Sequence, residues 1–232
     1  MTRTVAIIPA RGGSKRIPRK NIRDFAGQPV IAYSIKAAQE SGVCDRVIVS
    51  TDDDEIADVA RSFGAEIPFI RPPSLADDHT GTGAVVEHAV RWLTERGADP
   101  EFVCCIYATA PLISAERLSA AFKLLEAQPD MLHAFSVGRF SYPVHRGLLR
   151  DGDGVRMLYP EHLMTRSQDL PEVLHDAGQF YWSRLGQKPN VPMFGPLSIP
   201  ILLPDWQVKD IDTEEDWRHA EILYKVIQAE RS

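Results

Sequence analysis

Short apolar runs alternate with amphipathic stretches along the first 138 positions. Thr4–Pro9 is apolar through its middle, as a strand buried on both faces requires. After a polar, basic segment, Ile31, Ile35 and Ala38 recur at helical spacing and Gly42 supplies the stop. Arg46–Ser50 reads as a second strand. Asp52, with Glu55 three residues on, then opens a helix that carries Ile56, Val59, Ala60 and Phe63 on one face and ends at Gly64. Glu66–Ile70 reads as a third strand, stopped by Pro72 and Pro73. Val86, Ala89, Val90 and Leu93 mark the next helix, Phe102–Tyr107 a fourth strand, and Leu118, Phe122 and Leu125 the helix after it. This alternation predicts βαβ units: an α/β fold with a mostly parallel sheet and helices on both faces.

The pattern breaks near residue 138. From Arg139 to Pro160 the chain carries aromatics, Pro143, and an Asp151-Gly152-Asp153-Gly154 turn between two apolar runs, which predicts an inserted β-hairpin. Asp151 and Asp153 lack the later ligands and the closing Glu of a calcium loop, so the plain turn is favoured. Leu197–Leu203 reads as a late strand. A final helix runs from Thr213 with Trp217, Ala220, Tyr224 and Ile227 inward. With 232 residues and no internal repeat, one domain covering 1–232 is expected, with 139–160 as its insertion.

Composition narrows the class. The chain is 44% hydrophobic and 25% charged, which excludes disorder. No apolar run approaches the length of a membrane span, and the odd set Cys44, Cys104 and Cys105 has no C-x-x-C, so a soluble, reduced, cytoplasmic protein is expected. The net charge of −6 disfavours nucleic acid held by bulk charge; any polyanion must be met locally.

One place is suited to that. Six of the 26 basic residues fall in the 13 positions from 11 to 23 (Arg11, Lys15, Arg16, Arg19, Lys20 and Arg23), where an even spread over 232 would place one or two. In a parallel sheet this loop leaves the carboxyl end of the first strand, where open α/β folds bind ligands. Gly12 and Gly13 let the backbone approach an anion. Neither G-x-G-x-x-G nor the P-loop motif is present. A merely solvated cationic loop, or a dock for an acidic partner, is the competing reading.

The run Ile8-Pro9-Ala10-Arg11-Gly12-Gly13-Ser14-Lys15-Arg16-Ile17-Pro18-Arg19-Lys20-Asn21-Ile22 closely resembles the signature loop of the acylneuraminate cytidylyltransferases, the CMP-sialic acid synthetases. The resemblance implies a Rossmann-like nucleotidyltransferase fold, CTP as donor and a magnesium ion. It further implies that Arg11, Lys15, Lys20 and Asn21, with Ala10 and Gly12, hold the nucleotide and its triphosphate. Cations there would offset charge on a departing pyrophosphate.

Late in the chain stands Asp210-Ile211-Asp212. In an extended segment residues i and i+2 share a face, so both carboxylates can reach one ion, and hard oxygen ligands suit magnesium. Acids before a helix also favour its dipole, and Thr213 with Asp216 makes a capping box, so spacing alone leaves both readings open. Resemblance to the family's terminal D-x-D implies the metal site. Ser50-Thr51-Asp52 also resembles the family, but Asp52 is equally explained as an N-cap, and Thr82 as either a ligand contact or a cap. The loop Leu75–Thr82, which includes Asp78 and His79, sits where the family has a nucleotide-side loop. Among the histidines, His79, His145, His162 and His175 show no metal spacing.

The resemblance extends to the sugar side. Tyr107-Ala108-Thr109-Ala110-Pro111-Leu112 stands where the family usually begins with a glutamine that contacts the sugar. Met164–Pro171 and His175–Trp182 look like the branch of the family that acts on pseudaminic acid. Arg166 matches a position that pairs with the sugar carboxylate, a role suited to guanidinium's planar fork. Phe180 and Trp182 are expected in the core, with Gln179 and Tyr181 facing the ligand.

The resemblance thus implies CMP transfer from CTP to the anomeric hydroxyl of a nine-carbon sugar acid, pseudaminic acid first. N-acetylneuraminic, legionaminic and related ulosonic acids are the neighbouring alternatives, and a catalytically inactive nucleotide-binding regulator is the alternative from another class. It also implies a homodimer made through 139–160, an expectation the insertion's apolar residues share.

Overall fold

Val5, Ala6, Ile7 and Ile8 expose no surface, so the first strand, β1 (Thr4–Pro9), lies inside a sheet covered on both faces. The structure, a computed structural model, describes residues 2–77, 80–186 and 191–231; Asp78 and His79 of the nucleotide-side loop lie outside them. After β1 come a two-residue pair, β2 (Asp24–Phe25) and β3 (Gln28–Pro29), then α1 (Val30–Glu40), β4 (Arg46–Ser50), α2 (Asp54–Ser62), α3 (Thr82–Thr94), β5 (Phe102–Ile106), α4 (Ala115–Ala127) and β6 (His133–Arg139). The hairpin β7 (Leu148–Asp151) and β8 (Gly154–Met157), β9 (Leu174–Arg184), β10 (Ser198–Leu202) and α5 (Glu214–Arg231) complete it.

Six strands form one sheet in the order β10-β6-β9-β5-β1-β4. β1 runs parallel to β4 and β5, and β10 parallel to β6, while β9 lies antiparallel between β5 and β6. Alternation decides the faces. Ala6, Ile8, Phe102, Cys104 and Ile106 pack under α1, α2 and α4, whereas Val5, Ile7 and Val103 meet Ala89 and Leu93 of α3. A third cluster, Ile17, Phe25, Val30, Ile211, Trp217 and Ala220, ties the start of α5 to the basic loop.

Two expectations are corrected. Glu66–Ile70 is not a strand: Glu66 alone bridges Ile48, because Pro68 has no N–H to continue the ladder. The N-cap of α2 is Asp53, whose carboxylate accepts from the Ile56 N–H at 3.0 Å, not Asp52. The capping box at α5 forms as expected, with the Thr213 N–H donating to Asp216 at 2.8 Å and the Asp216 N–H to the Thr213 hydroxyl at 3.2 Å. In the hairpin, Asp151 pairs with Gly154 across the turn and its carboxylate faces Arg156.

Candidate active site

A cleft of about 310 Å³ opens at the carboxyl ends of β1 and β5. Arg11, Lys15, Arg16, Lys20, Asn21 and Arg71 line its cationic side, and Thr82, Val85 and Tyr107 the opposite wall. This is where the parallel strands direct the loops that follow them.

The basic loop is held from several sides. Ala10 does not line the cleft: its side chain is in the core and its N–H extends the strand pairing to Ser50 at 2.9 Å. The Gly12 N–H donates to Asp52 at 3.0 Å, so that amide is engaged by a carboxylate rather than turned into the cleft. A Cβ on Gly12 would stand 2.6 Å from Asp53 Oδ2, which is why this position takes glycine. Asn21 is buried and donates to the Arg11 carbonyl at 2.9 Å, bracing the loop across its width. Arg11 donates to the carbonyl of Asp77 at 3.0 Å.

The late acidic pair meets this loop. Lys20 Nζ donates to the Ile211 carbonyl at 2.6 Å and stands 3.6 Å from Asp212, which Arg16 reaches at 2.7 Å. Neither Asp210 nor Asp212 lines the cleft itself; Asp212 lies beside Lys20 and Arg16 at its border, and Asp210 is within the field of Lys20. Burial of the Asp210 carboxyl, reinforced by the charge of Asp212, pushes its pKa above the usual carboxylate value although the residue is exposed as a whole. A hard-oxygen pair in which the charge of Asp212 disfavours ionisation of Asp210 fits a divalent cation, which would offset that repulsion.

Thr82 is not a cap: Gly81 holds that position, and Thr82 is the first residue of α3 on the cleft wall. Tyr107 borders both the cleft and a second, more apolar cavity of about 270 Å³ that Val86, Cys105, Tyr181 and Met193 also line. The Tyr107 and Tyr181 rings are 5.2 Å apart, and the Tyr181 hydroxyl donates to both oxygens of Asp176 at 2.8 and 2.7 Å. Phe180 and Trp182 are core residues as expected. Gln179 departs from its expected place: it is 2% exposed and its amide donates to the Gln207 carbonyl, so it faces the interior rather than either cavity. Arg166 is not brought to the cleft by its own chain. Its side chain is 72% exposed and pairs with Asp169 at 2.7 Å.

Arg71 was missed by sequence reasoning. It lines the cleft at 4% exposure, donates to the carbonyls of Ser50 and Leu75, and its Nε has no partner among the described residues. Burial lowers its pKa, with Arg11 adding like charge and Asp52 opposing both. Such a buried cation beside Arg11 is equipped to receive an anion or a polar base edge. The only sequence signal was a charge closing an apolar run just before Pro72 and Pro73.

Residues 5–181 match the family described as Cytidylyltransferase. The chain is 44% identical over 228 residues to a pseudaminic acid cytidylyltransferase of Campylobacter jejuni subsp. jejuni serotype O:2, covering 97% of each. It is 53% identical over 228 residues to the CMP-N,N'-diacetyllegionaminic acid synthase of Legionella pneumophila, covering 97% of this chain and 98% of that one. Among solved structures, a CMP:2-keto-3-deoxy-manno-octonic acid synthetase complexed with CTP shares the fold, with a TM-score of 0.65 at 17% identity over 97% of this chain and 99% of that one.

Proposed function

The chain belongs to the cytidylyltransferase family, and on that premise we propose that it transfers CMP from CTP to the anomeric hydroxyl of a nonulosonic acid, pseudaminic acid in the first reading. The observation that carries the proposal is the convergence of the Arg11–Lys20 loop with Asp210 and Asp212 beside one cleft. The sugar hydroxyl attacks the α-phosphorus in line; the bond from that phosphorus to the β-phosphate oxygen breaks, pyrophosphate leaves and the hydroxyl proton is released. Arg11, Lys15 and Lys20 oppose the charge that gathers on the departing phosphates, so positioning and electrostatics carry the rate, as in other phosphoryl chemistry.

Asp210 and Asp212 would hold magnesium, supported by their chemistry as an oxygen pair with a raised carboxyl pKa. Bound there, the ion supplies charge neutralisation and orientation of phosphates.

What supports pseudaminic acid is the similarity to the Campylobacter enzyme together with the apolar cavity behind Tyr107, which suits a sugar with fewer hydroxyls. The 53% identity to the Legionella enzyme supports a second reading, a diacetyl-legionaminic acid in the same pocket. Pyrophosphate release from CTP with pseudaminic, N,N'-diacetyllegionaminic and N-acetylneuraminic acids tests both. The highest kcat/KM is expected for pseudaminic acid; a higher value for another acid transfers the assignment to it, and release with none of them removes the reading.

The same reading includes a homodimer. Leu148, Val155, Leu163 and Met164 are exposed on the segment around the hairpin, and the exposed Arg166 does not line its own cleft. Across such a dimer Arg166 would meet the carboxylate of a sugar in the partner's cleft. Light scattering at micromolar protein should give twice the chain mass, and a full-activity monomer would remove this element. The three cysteines are free thiols, which supports a reducing, cytoplasmic location. Among the described residues no helix is long and apolar enough to cross a membrane.

A further inference from the structure

Among the described residues Arg19 is one of two non-glycine positions with positive φ, at 54°, a left-handed conformation that an L side chain adopts only when its surroundings hold it there. Its carbonyl accepts from the N–H groups of Ile22 and Arg23, both at 3.0 Å, and so starts the single turn that carries Lys20 and Asn21 into the cleft wall. Its guanidinium forks onto Asp53, with Nη1 to Oδ2 at 2.5 Å and Nη2 to Oδ1 at 3.0 Å, and also reaches Glu55. Asp53 is itself fixed as the N-cap of α2 and lies against Gly12 at the other end of the loop. Arg19 does not line the cleft, whereas its neighbours Ile17, Lys20 and Asn21 do.

We infer that Arg19 and Asp53 are positioning residues. Their bidentate pair clips the basic loop to the start of α2, and the left-handed turn at Arg19 aims Lys20 at Ile211 and Asp212. The inference rests on the proposed CMP transfer for its kinetic readout but not for its structural one. A fork fixes orientation as well as distance, which a single ammonium contact does not.

The test separates backbone from side chain. Arg19→Gly accepts the positive φ without strain but loses the clip; Arg19→Gln loses the clip and keeps the strain; Arg19→Lys keeps a charge without the fork. Asp53→Asn leaves an equally good helix cap and removes the charge partner. Misplacing a positioned group by about 1 Å costs up to about a hundredfold. Arg19→Gly and Arg19→Gln are therefore both expected to lower kcat at least tenfold, with thermal midpoints near that of the wild type. Arg19→Lys should recover part of the loss, and Asp53→Asn combined with Arg19→Gln should be no worse than the poorer single variant. Independently of turnover, exchange of the Ile22 and Arg23 amides should accelerate at least tenfold in Arg19→Gln. Wild-type kcat in Arg19→Gly, or unchanged exchange in Arg19→Gln, overturns the inference. A wild-type protein that releases no pyrophosphate with any acid refutes the proposed function instead, and the exchange measurement still decides the clip.

Discussion

Lys20 donates to the backbone oxygen of Ile211 at 2.6 Å across 191 positions of sequence. The Ile211 side chain exposes no surface and packs against Ile17 and Trp217, so that carbonyl is anchored in a core cluster rather than carried on a mobile loop. A cation of the first loop and the backbone of the last acidic segment are thereby joined by one bond. Arg16 and Arg23 of the same loop reach that end as well, at Asp212 (2.7 Å) and Glu214 (2.5 Å).

Removing the Lys20 ammonium while keeping the unbranched apolar stem isolates its charge. Lys20→Met should lower CTP-dependent pyrophosphate release by about 10²–10³, the usual loss for one preorganised donor to a developing anion. Because Lys20 is partly exposed, the thermal midpoint should move by only a few degrees. Turnover and thermal unfolding measured on the same preparation check this, and more than about a tenth of wild-type activity would assign the charge-stabilising role elsewhere.

The acidic pair makes a different demand. Asp210→Asn and Asp212→Asn should each raise the magnesium concentration for half-maximal rate at least tenfold and weaken manganese binding measured by electron paramagnetic resonance. The two should differ in stability. Asp210 has its pKa raised by burial and by Asp212, so its charged form is disfavoured in the fold. Asp210→Asn should leave the thermal midpoint at pH 7 unchanged or higher, whereas Asp212→Asn weakens the pairs with Arg16 and Lys20.

Asp216 shows the opposite shift. Hydrogen bonds from Lys209 and Thr213 hold its carboxyl well below the usual carboxylate range, and it also accepts from the Asp212 N–H at 3.2 Å. A depressed folded pKa contributes stability that is present above the unfolded value, near 4, and is lost as pH falls through the folded one. Asp216→Ala should cost about 1 kcal/mol at pH 7, or roughly 2–4 °C. Thermal scans from pH 7 to pH 3 should show the gap to the wild type narrowing below about pH 4. A gap that widens on acidification would contradict the sign.

On the sugar side the test is a change of preference. Tyr107 presents a ring to both cavities, and a sugar hydroxyl left unpaired against it loses about 1–3 kcal/mol. Tyr107→Gln should therefore shift the kcat/KM ratio at least tenfold from pseudaminic towards N-acetylneuraminic acid. An unmoved ratio would mean that Tyr107 does not select the acid.

Much of this was legible in the sequence for identifiable reasons. Buried strands such as β1 and β5 announce themselves by continuous apolar runs, and the basic loop by a local charge density foreign to an acidic chain. Glu66–Ile70 misled because apolar content survives where Pro68 removes the donor a strand needs. Gln179 misled because alternation places a residue on a face without saying whether that face is a pocket; Gln207, from a distant segment, occupies it. Arg71 was invisible because its burial depends on the carbonyls of Ser50 and Leu75, which only the folded chain brings around it. The choice between Asp52 and Asp53 as helix cap turned on a single residue of register. Neither propensity nor spacing could decide that, and it left Asp52 for Gly12.

The antiparallel β9 has a consequence for how the chain is made. It lies between β5 and β6, so those two strands have no permanent neighbour on their facing edges until residues 174–184 arrive. A nascent chain emerging from the ribosome can assemble β1, β4 and β5 early, yet it exposes apolar strand edges throughout synthesis of the whole hairpin insertion. Non-local pairing of this kind slows folding and leaves sticky intermediates. Truncation anywhere before Arg184 should therefore yield aggregates rather than a smaller soluble domain, and ribosomal pausing after β9 rather than before it would favour the native sheet.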